Sequence, residues 1–173
     1  IITGDFMNNA YNKPYPVVRV EKENIEYAKI LSLDYAGDIS EDSAIHLYTY
    51  QALILEKTHP EISKTLDHIA ITEMKHLELL GRAIHLLGLP PKFVSYTSDN
   101  IKRYWTSSYV NYTTSLKNML RQDIRSETMA ILNYRKHRDA INDTYIKQLL
   151  TRIIEDEQVH LSIFRRLLDQ QKN

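Results

Sequence analysis

Apolar residues recur at three- and four-residue intervals over four long stretches of the chain, the period of helices that each bury one face. The clearest stripe lies in residues 61–87, as Leu66, Ile69, Glu73, His76, Leu80, Ala83 and Leu87, in which Glu73 and His76 are the only polar members. Residues 142–170 repeat it as Ile146, Leu149, Ile153, Glu157, His160, Phe164 and Leu167. Residues 106–137 show Tyr112, Leu116, Met119, Asp123, Glu127, Ala130, Tyr134 and His137 on one face, and residues 24–57 show Glu41, Ala44, Tyr48, Ala52 and Leu55. Four helices are predicted, the first weakened at Gly37 by about 1 kcal/mol relative to alanine. Gly88 and Pro90-Pro91 end the second helix. The short link after His137 forces the third and fourth into an antiparallel hairpin. Residues 89–105 can reach about 55 Å when extended, more than the ~40 Å length of a helix of this size, so they can run the whole length of a bundle.

The pattern therefore predicts an all-α antiparallel four-helix bundle over residues 21–173, with a long crossover between helices two and three. An extended arm over residues 1–20 precedes it, carrying Gly4, Pro14 and Pro16 together with Phe6, Tyr11, Tyr15, Val17 and Val18. Its apolar side chains are expected to lie either on this bundle or on a neighbouring subunit.

The polar members of the stripes are themselves repeated. Glu73-Met74-Lys75-His76 returns 84 positions later as Glu157-Gln158-Val159-His160, and Glu41 with Ala44 and Tyr48 returns 86 positions later as Glu127 with Ala130 and Tyr134. Residues three apart on a helix lie one turn from each other on one face, so each Glu-x-x-His can grip one metal ion. Random placement yields roughly 0.4 such matches in a chain of this composition, so a single one is weak evidence. Glu56-Lys57-Thr58-His59 is a match of that weak kind, since Pro60 follows it and it has no twin. The other two sit mid-helix, each preceded by a glutamate in matched surroundings. Packed about a pseudo-twofold axis, Glu41, Glu73, Glu127 and Glu157 would converge with His76 and His160, a ligand set described for dinuclear carboxylate bundles. Four carboxylates and two divalent ions make a neutral cluster, and oxygen-rich donors with one imidazole per ion suit iron or manganese. Tyr48 and Tyr134 are placed to hydrogen-bond a ligand carboxylate of the opposite hairpin, and Asp123, one turn before Glu127, to be a further ligand or to orient one. Asp156, four residues before His160, is placed to hold its free ring nitrogen. His46, His68 and His85 fall off the inner faces, and His137 is expected to pack rather than ligate.

Composition narrows the function classes. Acidic and basic residues number 22 each, giving a net charge of zero, so nothing favours nucleic acid or an anionic membrane. The absence of cysteine excludes disulfides and thiolate metal sites. No secretory signal or long apolar span is visible, so a cytoplasmic protein is expected. Apolar residues outside the inner stripes, Ile45, Leu53, Ile154, Leu161 and Ile163, suggest a homo-oligomer.

The duplicated plan, with alanine and tyrosine trailing each lone glutamate, resembles the ferritin-like superfamily of dinuclear metal proteins, rubrerythrins in particular, over residues 24–170. A narrower likeness, to manganese catalases and related spore-coat proteins, lies in Tyr15-Pro16-Val17 and in Glu73-Met74-Lys75-His76-Leu77-Glu78. The resemblance implies bridging roles for Glu73 and Glu157, terminal roles for Glu41 and Glu127, and histidine ligands at His76 and His160. It also implies an oxidoreductase acting on peroxide or dioxygen. The tyrosine placement leans toward a rubrerythrin-like peroxidase; manganese catalase chemistry, metal handling and a structural coat role are the alternatives. Rubrerythrins carry a rubredoxin-like module whose iron is held by four cysteines, so an electron donor here is expected to be a separate protein. With only Gln171, Lys172 and Asn173 after the fourth helix, a ferritin cage with its further short helix is not expected.

The purified protein should bind about two divalent ions per chain, because the half-sites share carboxylates and fill together. Elemental analysis should show occupancy lost in Glu127→Ala and His160→Ala and retained in His59→Ala.

Overall fold

A computed structural model describes residues 9–97 and 99–171; Phe6, Lys172 and Asn173 lie outside the described residues. Five α-helices occupy four rods: α1 (Ile25–Ala36) and α2 (Glu41–Leu55), then α3 (Pro60–Leu86), α4 (Leu116–Ala140) and α5 (Thr144–Gln170). Where one helix over 24–57 is expected, the first rod is broken between Ala36 and Glu41. The Gly37 carbonyl is taken by the hydroxyls of Ser40, at 2.8 Å, and Ser43, at 3.0 Å. Ser40 also caps α2 by accepting from the Ser43 N–H, so local side-chain bonds replace the helical ladder. A Cβ on Gly37 would meet the Leu33 carbonyl oxygen at 2.5 Å.

The third helix begins ten residues later than the pattern suggests. Residues 106–115 are mostly hydroxyl-bearing, tyrosine or asparagine, types that lose freedom in a helix or bond their own backbone instead. Only one 3-10 turn forms there, Ser107–Tyr109, capped by Thr106, and Tyr112 stays outside α4 and exposed. The expected crossover is present with structure of its own: β1 (Val94–Tyr96) pairs antiparallel with β2 (Lys102–Tyr104). Gly88, at φ 95°, supplies the left-handed residue that ends α3.

Two apolar clusters fix the directions of the rods. One joins Ala28, Leu31, Ala83, Ile84 and Leu87 to Ile141 and Ile146. The other joins Leu55 and Leu66 to Met119 and Phe164, with Leu116 packed against it. The start of α4 thus lies beside the start of α3, and the end of α4 lies near the end of α3. The two helices run parallel, and the crossover travels the length of the bundle. Ile154 and Ile163, expected on outer faces, instead belong to these two clusters, because α5 buries a wider stripe than its inner face alone. Leu53 is exposed as expected. The described part of the arm lies on its own bundle, with Tyr15, Val18 and Val20 against the first cluster.

Gly37→Ala should destabilise the protein by roughly 1–3 kcal/mol, the range for forcing atoms into occupied space. A lowered urea midpoint with unchanged slope would register it.

Candidate metal centre

The layer between the two apolar clusters is polar. α2 supplies Glu41 from its first turn, where the helix dipole favours a carboxylate. α3 supplies Glu73 and His76, α4 supplies Glu127, and α5 supplies Glu157 and His160. All six are buried, and both histidines are fully so. Their ligand atoms form two groups, Glu41, Glu73, His76 and Glu157 in one and Glu73, Glu127, Glu157 and His160 in the other; within each group the atoms lie within 4.8 Å of one another.

Each imidazole turns Nδ1 inward. His76 Nδ1 lies 2.9 Å from Glu73, 3.1 Å from Glu157 and 3.5 Å from Glu41. His160 Nδ1 lies 2.9 Å from Glu73, 3.1 Å from Glu157 and 3.9 Å from Glu127. Glu73 and Glu157 are therefore common to both groups, while Glu41 and Glu127 each approach one. Glu73 Oε1 shows why this set fits a cation. It is buried and has no aligned hydrogen-bond donor although His160 Nδ1 is 2.9 Å away, as when two donors aim at a shared ion.

The outer nitrogens and carboxylates are held by further groups. Tyr48 donates to Glu127, and Tyr134 donates to Glu41, so each phenol crosses to the lone glutamate of the other hairpin. Asp156 holds a ring nitrogen, though not that of His160: its Oδ2 lies 3.0 Å from His76 Nε2. His160 Nε2 instead meets the Asn9 carbonyl of the arm at 2.9 Å. Periodicity places Asp156 on a face of α5 but does not say which neighbour it meets, and from that face it reaches α3. Asp156 also accepts from the Tyr15 hydroxyl at 2.5 Å and the Tyr11 N–H at 2.6 Å, and pairs with Arg152 at 2.7 Å. The Arg152 guanidinium lies over the Tyr15 ring at 4.4 Å and donates to the Lys13 and Tyr11 carbonyls. The four-residue spacing of Arg152, Asp156 and His160 was the available signal for Arg152; a backbone carbonyl such as that of Asn9 leaves no signal in a sequence.

Burial and mutual charge shift the proton affinities of this layer in opposite directions. Burial would raise the carboxyls of Glu73 and Glu157, but the adjacent histidines more than offset it and hold both below the usual range. Burial and the neighbouring carboxylates push Glu41 and Glu127 well up, so these keep their protons. Burial alone would lower both histidines, yet the surrounding carboxylates raise them well above the ordinary imidazole value. Carboxylates and imidazoles thus shift one another in opposite directions, and two dications would balance the four carboxylates. Burial likewise raises Tyr48 and Tyr134, which stay protonated as donors.

A cavity of about 60 Å³ opens onto this layer, lined by Glu41, Glu73, Glu127 and Glu157 and by Tyr48 and Tyr134, with Asp38, Ile39 and Ser40 from the break before α2 and Gln122 and Ser126 from α4 in its wall. Asp123 stands outside both ligand groups and accepts from Gln51 at 2.9 Å. His59, beyond the end of α2, bonds only the neighbouring Thr58 hydroxyl among the interactions described for its ring. His46, His68 and His85 are exposed. His137 is buried against Asp34.

Among known families, residues 32–168 match the rubrerythrin family, a span that holds all six converging residues. The chain belongs to the rubrerythrin family. Among solved structures of similar proteins, this rubrerythrin-family chain superposes on a manganese catalase from Anabaena with a TM-score of 0.82 and 27% identity, covering 93% of this chain and 79% of that one. It is 25% identical over 177 residues to a probable manganese catalase of Clostridium acetobutylicum, spanning 90% of this chain and 76% of the relative. A bacterioferritin of Desulfovibrio desulfuricans, whose structure contains a diiron site, matches with a TM-score of 0.73 at 24% identity over 86% of this chain and 81% of that one, which establishes the shared ferritin-like fold.

Asp123 supplies a test of the electrostatics beside this layer. Burial pushes its carboxyl up to about 8, against an ordinary 3.8, with Gln51 pulling the other way. Its Oδ2 and the Gln51 Oε1 are both buried without hydrogen-bond partners among the described residues, and a proton on Asp123 would make Oδ2 a donor. The fold therefore favours the protonated form: this contribution to stability is complete below about pH 3.8 and lost as pH rises to about 8. Asp123→Asn carries the hydrogen permanently. Its stability relative to the parent, from metal-free denaturation at several pH values, should rise over that window by on the order of a few kcal/mol.

Proposed function

We propose that this chain is a dinuclear metal oxidoreductase that consumes hydrogen peroxide by disproportionation, in the manner the names of its manganese catalase relatives describe. The observation that carries the reading is the pair of overlapping ligand groups with two shared carboxylates, opening onto a cavity with room for only a few water-sized molecules. Glu73 and Glu157 would bridge, Glu41 and Glu127 would each complete one side, and His76 and His160 would each supply one nitrogen. Manganese and iron both suit this donor set. Two such ions side by side supply the two-electron change that peroxide chemistry requires.

The protein's own residues do the rest. Tyr48 and Tyr134 fix Glu127 and Glu41 so that the cavity side of each carboxylate keeps its place. Asp156 and the Asn9 carbonyl orient the two imidazoles from the opposite side, where Tyr11, Lys13 and Tyr15 pack over Arg152 and Asp156. Peroxide would reach the layer through the cavity whose wall includes Ser40 and Gln122. A second reading, a rubrerythrin-type peroxidase with a separate electron donor, is supported by the family match over residues 32–168. Assembly with further copies of the chain belongs to the same proposal, supported by exposed Leu53, Ile71 and Leu132. No described helix is long and apolar enough to cross a membrane.

Peroxide added to manganese-loaded protein without any reductant should give sustained dioxygen release at an oxygen electrode. A single oxidation, repeated only after a reductant is supplied, would turn the assignment to the peroxidase. No reaction with either metal would remove both.

A further inference from the structure

The cavity wall holds a carboxylate that belongs to neither ligand group and is paired with a buried histidine. Asp34, on α1, lines the same cavity as Glu41 and Tyr134. It is buried, at 3% exposure, and belongs to neither ligand group. Its Oδ2 lies 2.7 Å from Nδ1 of His137, which comes from the last turn of α4. His137 stands one turn beyond Tyr134, so the helix that holds the Tyr134 phenol on Glu41 also brings the imidazole to Asp34. Packing alone does not call for such a pair, because an apolar pair of similar volume is as stable or more so.

We infer that Asp34 and His137 form a proton relay between the cavity and the surface. The inference rests on the peroxide reading. Disproportionation oxidises one peroxide to dioxygen, releasing two protons and two electrons, and reduces a second to two waters, taking up two of each. Bound ions would supply and take up the electrons; the protons need a separate path. The ligand carboxylates would be committed to the ions, and the phenols of Tyr48 and Tyr134 are engaged as donors to Glu127 and Glu41. Asp34 meets the need. Each proton passes from the cavity to the Asp34 carboxylate, and a proton leaves the imidazole toward solvent near the end of α4; the reducing half runs the same path inward. Burial raises the Asp34 carboxyl while His137 lowers it.

The test uses the metal-loaded protein, with Asp34→Asn and His137→Ala as variants. Both should keep the metal content of the parent, and kcat for peroxide should fall by about a hundredfold with KM little changed. Free imidazole in the buffer should restore turnover to His137→Ala, which a purely structural role would not allow. Independently of turnover, proton NMR of the metal-free protein should show a downfield hydrogen-bonded imidazole N–H that disappears in Asp34→Ala. Full metal with undiminished kcat in Asp34→Asn, or metal lost in step with activity, or no such resonance in the parent, would overturn the relay alone. A parent that turns over no peroxide would overturn the relay together with the reading beneath it.

Discussion

Six ionisable side chains in one dry layer can coexist only if their charges cancel, and the rest of the architecture answers to that requirement. An isolated carboxylate in such a place is penalised by several kcal/mol or takes up a proton. Here burial and neighbouring carboxylates raise Glu41 and Glu127, while the adjacent histidines lower Glu73 and Glu157 and are themselves raised by the carboxylates. The apolar clusters on either side exclude water and hold the rods at fixed spacing. The layer is consequently poised: cations can enter it by exchanging for protons, with little rearrangement of the frame.

The two sides of the layer are built for opposite purposes. Between α3 and α5 the histidines back onto Asp156, Arg152, Tyr15 and the Asn9 carbonyl, and the arm covers them. Between α2 and α4 the layer faces a cavity instead, and the break at Gly37 to Ser40 forms part of its wall. The corresponding part of α4 is unbroken and holds Asp123 and Gln122. The internal repeat therefore supplies matched ligands on an unmatched scaffold. The cavity lies on one side of the layer, and the imidazoles are fixed from the other.

Much of this was legible in the sequence because helical period encodes it directly. The six converging residues were found from spacing and duplication, and the cross-hairpin reach of Tyr48 and Tyr134 follows from their position two turns beyond Glu41 and Glu127. Periodicity does not report contacts between helices that share no sequence neighbourhood. Asp156 could be placed on α5, yet its meeting with His76 depends on how α5 lies against α3. The break before Glu41 depended on the hydroxyls of Ser40 and Ser43 outcompeting backbone bonds, and a glycine alone does not announce it. The late start of α4 reflects a run of hydroxyl residues that the apolar stripe ran straight through. The pairing of Asp34 with His137 joins residues 103 positions apart, each ordinary in its own segment.

The exchange of tyrosines has a further implication. Tyr48 rises from one hairpin and closes on the glutamate of the other, and Tyr134 returns the gesture. Each cluster of ligand atoms also draws on both hairpins. Neither hairpin emerging alone during synthesis, nor a chain whose halves have come apart, possesses a complete site or the phenols that steady it. A complete set of ligand atoms is thereby conditional on the finished fold, which joins the two halves of the chain at this layer.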